Sequence, residues 1–268
     1  MRLLKTTLSA GAAVVVLAAA GVASAHMPYL LPTVFTLGGK ADHVTLQSSF
    51  TEDPFVPEVV LKSTFFFAKS PAGAEAPIGT PTYLRDLAVL EAATPGEGTY
   101  RFSTGPRQGR KGKMYQDAKG EWLMVGEEAE GAPAGAKLVD VASITTAEAY
   151  VTKGKPSAAA LDPKGVGLEL KPVTHPSDIG AGSAAKFQLL FDGEPLAGAL
   201  IRLYRANGIF DGRKVAGEAR TAADGTFSLT APDAGLYMTI VRHRTASPAG
   251  AETPYRSYTH TLSFEAAQ

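Results

Sequence analysis

Apolar and polar residues alternate over several short stretches of the chain. Val44, Leu46 and Phe50 fall on one side of an extended segment and Thr45, Gln47 and Ser49 on the other, which predicts a half-buried strand. The run from Val59 to Phe67 is rich in β-branched and aromatic residues and is too short to span a membrane, so it is expected to form a buried strand. A further strand is expected at Gly98–Ser103. Met114–Gln116 and Glu121–Val125 flank Asp117-Ala118-Lys119-Gly120, whose glycine can supply the positive φ of a hairpin. Residues 81–93 are ambiguous, because Tyr83, Leu84, Leu87, Val89 and Leu90 could lie on a helix while Pro81 and Pro95 leave it little room. Residues 126–138 read as a loop, and Ala147–Val151 as the last strand of a first domain.

The second half is more regular. Strands are expected at Leu168–Leu170, Phe187–Phe191, Ala199–Tyr204, Phe227–Leu229, Leu236–His243 and Thr259–Phe264. Turn signals at Asp192-Gly193, Asp224-Gly225 and Asp233-Ala234-Gly235 separate them at the spacing of an antiparallel sandwich. The expected fold is all-β, with two sandwich-like domains at 26–152 and 167–268, the second immunoglobulin- or prealbumin-like. Residues 153–166, with Gly154, Pro156, three alanines and Pro163, read as a linker that buries little.

The first 25 residues differ from this pattern. Arg2 and Lys5 precede an apolar run from Leu8 to Val22, and Ala23-Ser24-Ala25 has the small-x-small form that signal peptidase requires. A secretory signal peptide cleaved after Ala25 is therefore expected, and with it a periplasmic or equivalent exported protein that begins at His26. The alternative, a membrane anchor, would need about 20 apolar residues. Without cysteine the chain can form no disulfide, and its stability must come from packing. Loss of Arg2 and Lys5 would leave 24 basic residues against 26 acidic ones, so no nucleic acid or other polyanion is expected as a partner. No second long apolar stretch follows, and no membrane span is expected after cleavage.

The segments Phe191–Ala199, Thr221–Phe227 and Ala234–Tyr237 resemble prealbumin-like and carboxypeptidase-regulatory-like β-sandwiches. A broader resemblance rests on His26-Met27-Pro28-Tyr29-Leu30-Leu31-Pro32, Gly167–Val173, the sandwich segments and Tyr255–Phe264, taken in that order. These are similar to a bacterial family of unknown function that carries the label of a periplasmic component of nickel or cobalt uptake. The resemblance implies a divalent transition metal, nickel or cobalt, as the bound species. A membrane transporter or outer-membrane receptor is the implied partner. It also implies a histidine at His243.

Cleavage after Ala25 would give His26 a free α-amino group beside its imidazole, a pair able to chelate nickel, cobalt, copper or zinc. A second ligand would have to come from His243, His260 or His43, since His175 precedes Pro176 in a loop. His243 ends a strand, and its other reading is a surface histidine. His260 shares a strand face with Leu262 and Phe264 and could equally be a core-edge imidazole held by one hydrogen bond. His43 could reach His26 if the first two strands form a hairpin. Glu52, Asp53 and Glu58 are the nearest carboxylates in sequence, and Met27 could add a thioether to copper. With five histidines in all, the capacity expected is one ion per chain.

Two other function classes compete. A copper enzyme with an amino-terminal histidine needs a second histidine and an axial aromatic such as Tyr237, Tyr255 or Tyr258. A docking module would use the basic stretch Arg107–Lys113 or the acidic loop Gly126–Gly131. The chain offers no G-x-S-x-G turn and no cysteine nucleophile, so it is not expected to be an enzyme.

Overall fold

The computed structural model describes residues 26–268, and the expected signal peptide lies outside them. The described chain is an all-β sandwich in three sheets, with two single turns of 3₁₀ helix at Ala159–Leu161 and Pro176–Asp178. The central sheet has eleven strands. Along its main path lie Val215–Arg220, Leu200–Arg205, Gly235–Ala246, Tyr255–Ala266, Val139–Lys153, Gly98–Ser103, Phe67–Lys69 and Glu75–Pro77. A five-stranded sheet orders Met27–Pro32, His43–Thr51, Ala88–Ala93 and Thr82–Tyr83, with Val59–Val60 paired beside His43–Thr51. A four-stranded sheet is built around Ala184–Phe191, which pairs with Leu168–Pro172, Glu194–Pro195 and Thr226–Thr230.

Val139–Lys153 joins the halves of the chain. Over residues 141–145 it pairs on one edge with Arg107–Gln116 and on the other, in parallel, with Tyr255–Ala266. At Thr152 it pairs with both Thr99 and Thr36. Its two faces serve different cores. Ala147 and Val151 pack with Leu30, Leu46, Leu90 and Phe102 beneath the five-stranded sheet. Tyr150 belongs to the cluster of Leu189, Ile201, Val241 and Phe264 beneath the four-stranded one. Phe187 is fully buried at the centre of that second core and stacks on Phe227 with ring centroids 5.5 Å apart.

The hairpin at Asp117–Gly120 forms as its sequence predicts, pairing Gln116 with Trp122, and Gly120 takes φ 80°. Residues 81–93 resolve as strands: Thr82–Tyr83 pairs with Ala88–Ala93 through a tight turn. The structure departs from the sequence pattern in three places. Val59–Phe67 is not one strand; Val59 and Val60 pair with His43–Thr51, Phe67 pairs in the central sheet, and Phe65 between them is 65% exposed beside buried Leu61 and Phe66. Residues 153–166 do not simply link, because Ala160 and Leu161 enter the same core as Phe187, and the central sheet runs across this boundary. Val215–Arg220 pairs on the sheet edge although its sequence has no apolar alternation to announce it.

At the Asp224-Gly225 turn, Gly225 has φ 73°, and a Cβ built there would lie 2.5 Å from the carbonyl oxygen of Leu189. Both backbone conformation and close approach exclude a side chain. Gly217 lies in open space with no positive φ. Gly225→Ala is expected to lower stability by at least about 1–2 kcal/mol, whereas Gly217→Ala is neutral or slightly stabilising. Urea unfolding of both variants checks this, and equal midpoints would contradict the close approach.

Candidate metal centre

The first strand, Met27–Pro32, pairs antiparallel with His43–Thr51 so that Met27 lies opposite Thr51. This register carries His26 to the end of the hairpin where the chain turns into residues 52–58. The turn is well fixed. The Val56 N–H donates to the Asp53 carbonyl at 3.0 Å, and the Glu58 N–H to the Phe50 carbonyl at 3.1 Å. Phe55, in the left-handed region at φ 67°, sets its ring edge-on to buried Tyr29 at 5.6 Å. The Glu52 N–H donates to Glu58 Oε1 at 2.9 Å, which holds one carboxylate oxygen in place and leaves the other free to face His26.

His26 Nε2 lies 3.5 Å from Glu58 Oε2 and 3.9 Å from Glu52 Oε1. One ligand atom from each residue falls within 4.8 Å of the other two. A tetrahedral ion with bonds of about 2.0–2.2 Å separates its ligand atoms by about 3.3–3.6 Å. The His26–Glu58 spacing already meets that, and the His26–Glu52 spacing exceeds it by a few tenths of an ångström. All three side chains are partly exposed, so an ion could enter from solvent and keep water in its remaining position. One imidazole and two carboxylates make an N,O,O donor set suited to a borderline divalent cation.

The nitrogen that faces the carboxylates is Nε2. A chelate ring with the residue's own α-nitrogen would use Nδ1, so the carboxylate site and the amine–imidazole chelate expected from the sequence are different sites. Of the carboxylates near in sequence, Glu52 and Glu58 join His26. Asp53 turns away to an ion pair with Lys214 at 2.8 Å. Met27 is buried in an apolar cluster with Met238 and Ile240.

None of the other histidines proposed as partners reaches this site. His243 shares its strand face with Val241, which lies in the core beneath the four-stranded sheet, whereas Met238 and Ile240 on the opposite face contact the first strand. Its imidazole packs on Phe191 at 4.6 Å, and burial, aided by Arg244, pushes its pKa below the usual histidine value. His43 sits at the far end of its strand, paired with Ala93 rather than with the first strand, and hydrogen-bonds Asp42 at 2.8 Å. His175 caps the turn at Pro176–Asp178 and contacts Thr99 at 3.0 Å. Among the aromatic residues considered for a copper site, Tyr237 donates to Asp233, Tyr255 packs on Trp122 and Tyr258 on Phe191.

His260 is a core-edge imidazole, 1% exposed, with Nε2 at 3.3 Å from Glu148 Oε2. Burial by itself would raise the Glu148 carboxyl, but the buried Arg101 guanidinium and the His260 contact outweigh it and hold the pKa at about 2.

The proposed docking stretches are also occupied. Arg107–Gln116 is a strand, and Arg110, Lys111 and Lys113 pair with Glu127, Glu252 and Asp140. Glu128 of the acidic loop is held between Arg242 and Arg244.

Residues 23–245 match the protein-family profile described as "Domain of unknown function (DUF4198)". The chain belongs to that family. No curated protein matches this DUF4198 chain. Solved structures similar to it include the D0-D1 domain of intimin, 8% identical over 89% of this chain and 97% of that one, with a TM-score of 0.23. Another is the BSP domain of a biofilm associated protein, 12% identical over 88% of this chain and 29% of that one, at 0.21. The human OSCAR ligand-binding domain is 14% identical over 88% and 97%, at 0.20.

Glu148 has a pKa below its unfolded value of about 4.3, so its contribution is fully present above that pH and is lost as pH falls toward 2. Glu148→Gln, which leaves buried Arg101 with the partly exposed Glu75 at 3.6 Å as its remaining ion-pair partner, is expected to cost about 3 kcal/mol at pH 7. The gap from the parent protein should narrow between about pH 4.3 and 2. Urea unfolding across this range reads both effects, and a pH-independent gap would deny the carboxylate its role.

Proposed function

We propose that this DUF4198 protein is a non-catalytic exported protein that binds one divalent transition-metal ion through His26, Glu52 and Glu58. It acts as a periplasmic accessory to nickel or cobalt uptake. The observation that carries the reading is the convergence of His26 Nε2 with two carboxylates on a fixed turn. The resemblance to a family labelled for nickel and cobalt uptake supplies the direction, and the N,O,O donor set is compatible with either ion. A transporter or outer-membrane receptor would receive the ion. The described residues contain no helix long and apolar enough to cross a membrane.

One observation favours a second reading, that of a docking module. Ile209 and Phe210, the latter 84% exposed, project from the turn after Leu200–Arg205. Lys214, which follows that turn, grips Asp53 next to Glu52. An apolar contact there would adjoin the metal-site turn.

The two readings separate by calorimetric titration of nickel, cobalt, copper and zinc into protein that begins at His26. One-to-one binding is expected, weakened roughly tenfold or more by Glu58→Gln, since one ligand is lost. A glycine added before His26 should leave affinity within about threefold, because Nε2 does not depend on the free amine. Binding lost only in the extended protein would move the ion to the amine–Nδ1 chelate. No binding to any of them would leave the docking reading.

A further inference from the structure

A cleft lies on the face of the central sheet opposite the five-stranded one, away from His26. Its volume is about 530 Å³, within the size range of small-molecule sites. Strand Tyr255–Ala266 sets Arg256, Tyr258 and His260 in succession along the floor, roughly 6–7 Å apart as same-face neighbours on a strand. Strand Val139–Lys153 runs parallel beside it and places Ile144 opposite Tyr258 and Thr146 opposite His260. Phe191, perpendicular to Tyr258 with centroids 5.1 Å apart, forms an aromatic wall.

The charges around the cleft are mostly engaged within the protein. Glu169 accepts from the backbone N–H groups of Lys164, Gly165 and Val166. Asp192 accepts from Gly167. Glu148 faces Arg101 and His260, and Lys164 pairs with Glu75 at 2.8 Å. The acidic groups therefore have little left to offer a ligand. Arg256 makes no ion pair and no side-chain hydrogen bond among the described residues, and neither does Gln108 at the same cleft. His260, on the floor and almost wholly buried, has no partner for Nδ1. That atom is closed off from the cleft, so His260 shapes the floor and offers a ligand no hydrogen bond.

We propose that this cleft binds a small organic carboxylate with a flat apolar body. Arg256 meets the carboxylate, and Phe191 and Tyr258 contact the body. A free guanidinium selects the anion and the rings select its body.

The test is fluorescence titration of a hydroxynaphthoate, and of its neutral methyl ester, into protein that begins at His26, with EDTA present so that the His26 site takes no part. Two variants at accessible positions accompany it: Arg256→Met, and Ala246→Trp, which fills the mouth of the cleft. The acid should bind saturably with one-to-one stoichiometry. The ester, and the acid with Arg256→Met, should each bind at least about tenfold more weakly, and Ala246→Trp should abolish binding. Absence of saturation, equal affinity for acid and ester, or full binding to Ala246→Trp would each overturn the proposal.

Discussion

The backbone of Val139–Lys153 is hydrogen-bonded on both edges over much of its length, and the other layers take their positions from it. Both of its faces are covered as well. Here one face is roofed by strands from the first half of the chain and the other by strands from the second. The first strand is held against this frame where Thr261 donates to the Pro28 carbonyl, and its odd-numbered residues bury against Met238 and Ile240. His26 therefore emerges at a place set by the whole sheet, not by a loose terminus.

Much of the fold was legible in the sequence. The later strands announce themselves because Asp-Gly and Ala-Gly turns break the chain at intervals and apolar residues alternate between them, as in Phe187–Phe191 and Leu236–His243. Val59–Phe67 misleads for the opposite reason. An unbroken apolar run carries no period, so hydrophobicity marks burial at Leu61 and Phe66 without revealing that the backbone between them is irregular. Ala160 and Leu161 sit in a stretch with linker composition, and small residues disclose nothing of whether a core stands next to them.

The candidate site was half legible. His26 stands out by position, and Glu52 and Glu58 are close in sequence, but that they meet His26 while Asp53 does not follows from the pairing of Met27 with Thr51. His243 was lost to parity. Alternation shows that His243 and Met238 lie on opposite faces of their strand, yet which face the first strand covers depends on contacts between distant segments. The polar floor around His260 was equally hidden, since Glu148, Arg101 and His260 come from three separated strands.

The parallel pairing of Val139–Lys153 with Tyr255–Ala266 bears on how the molecule assembles. Val141 meets Tyr255 and Ala149 meets Ser263, so the central ladder joins segments more than a hundred residues apart with no local hairpin to bring them together. Closing so long a loop costs entropy before any contact repays it, which places this step late and makes it slow. Until it happens, one edge of the central strand has open hydrogen-bonding groups and both cores are incomplete, a state exposed to pairing with other chains. Once it closes, the halves share a sheet, and loss of one removes the support of the other, so the chain is built to unfold as one cooperative unit.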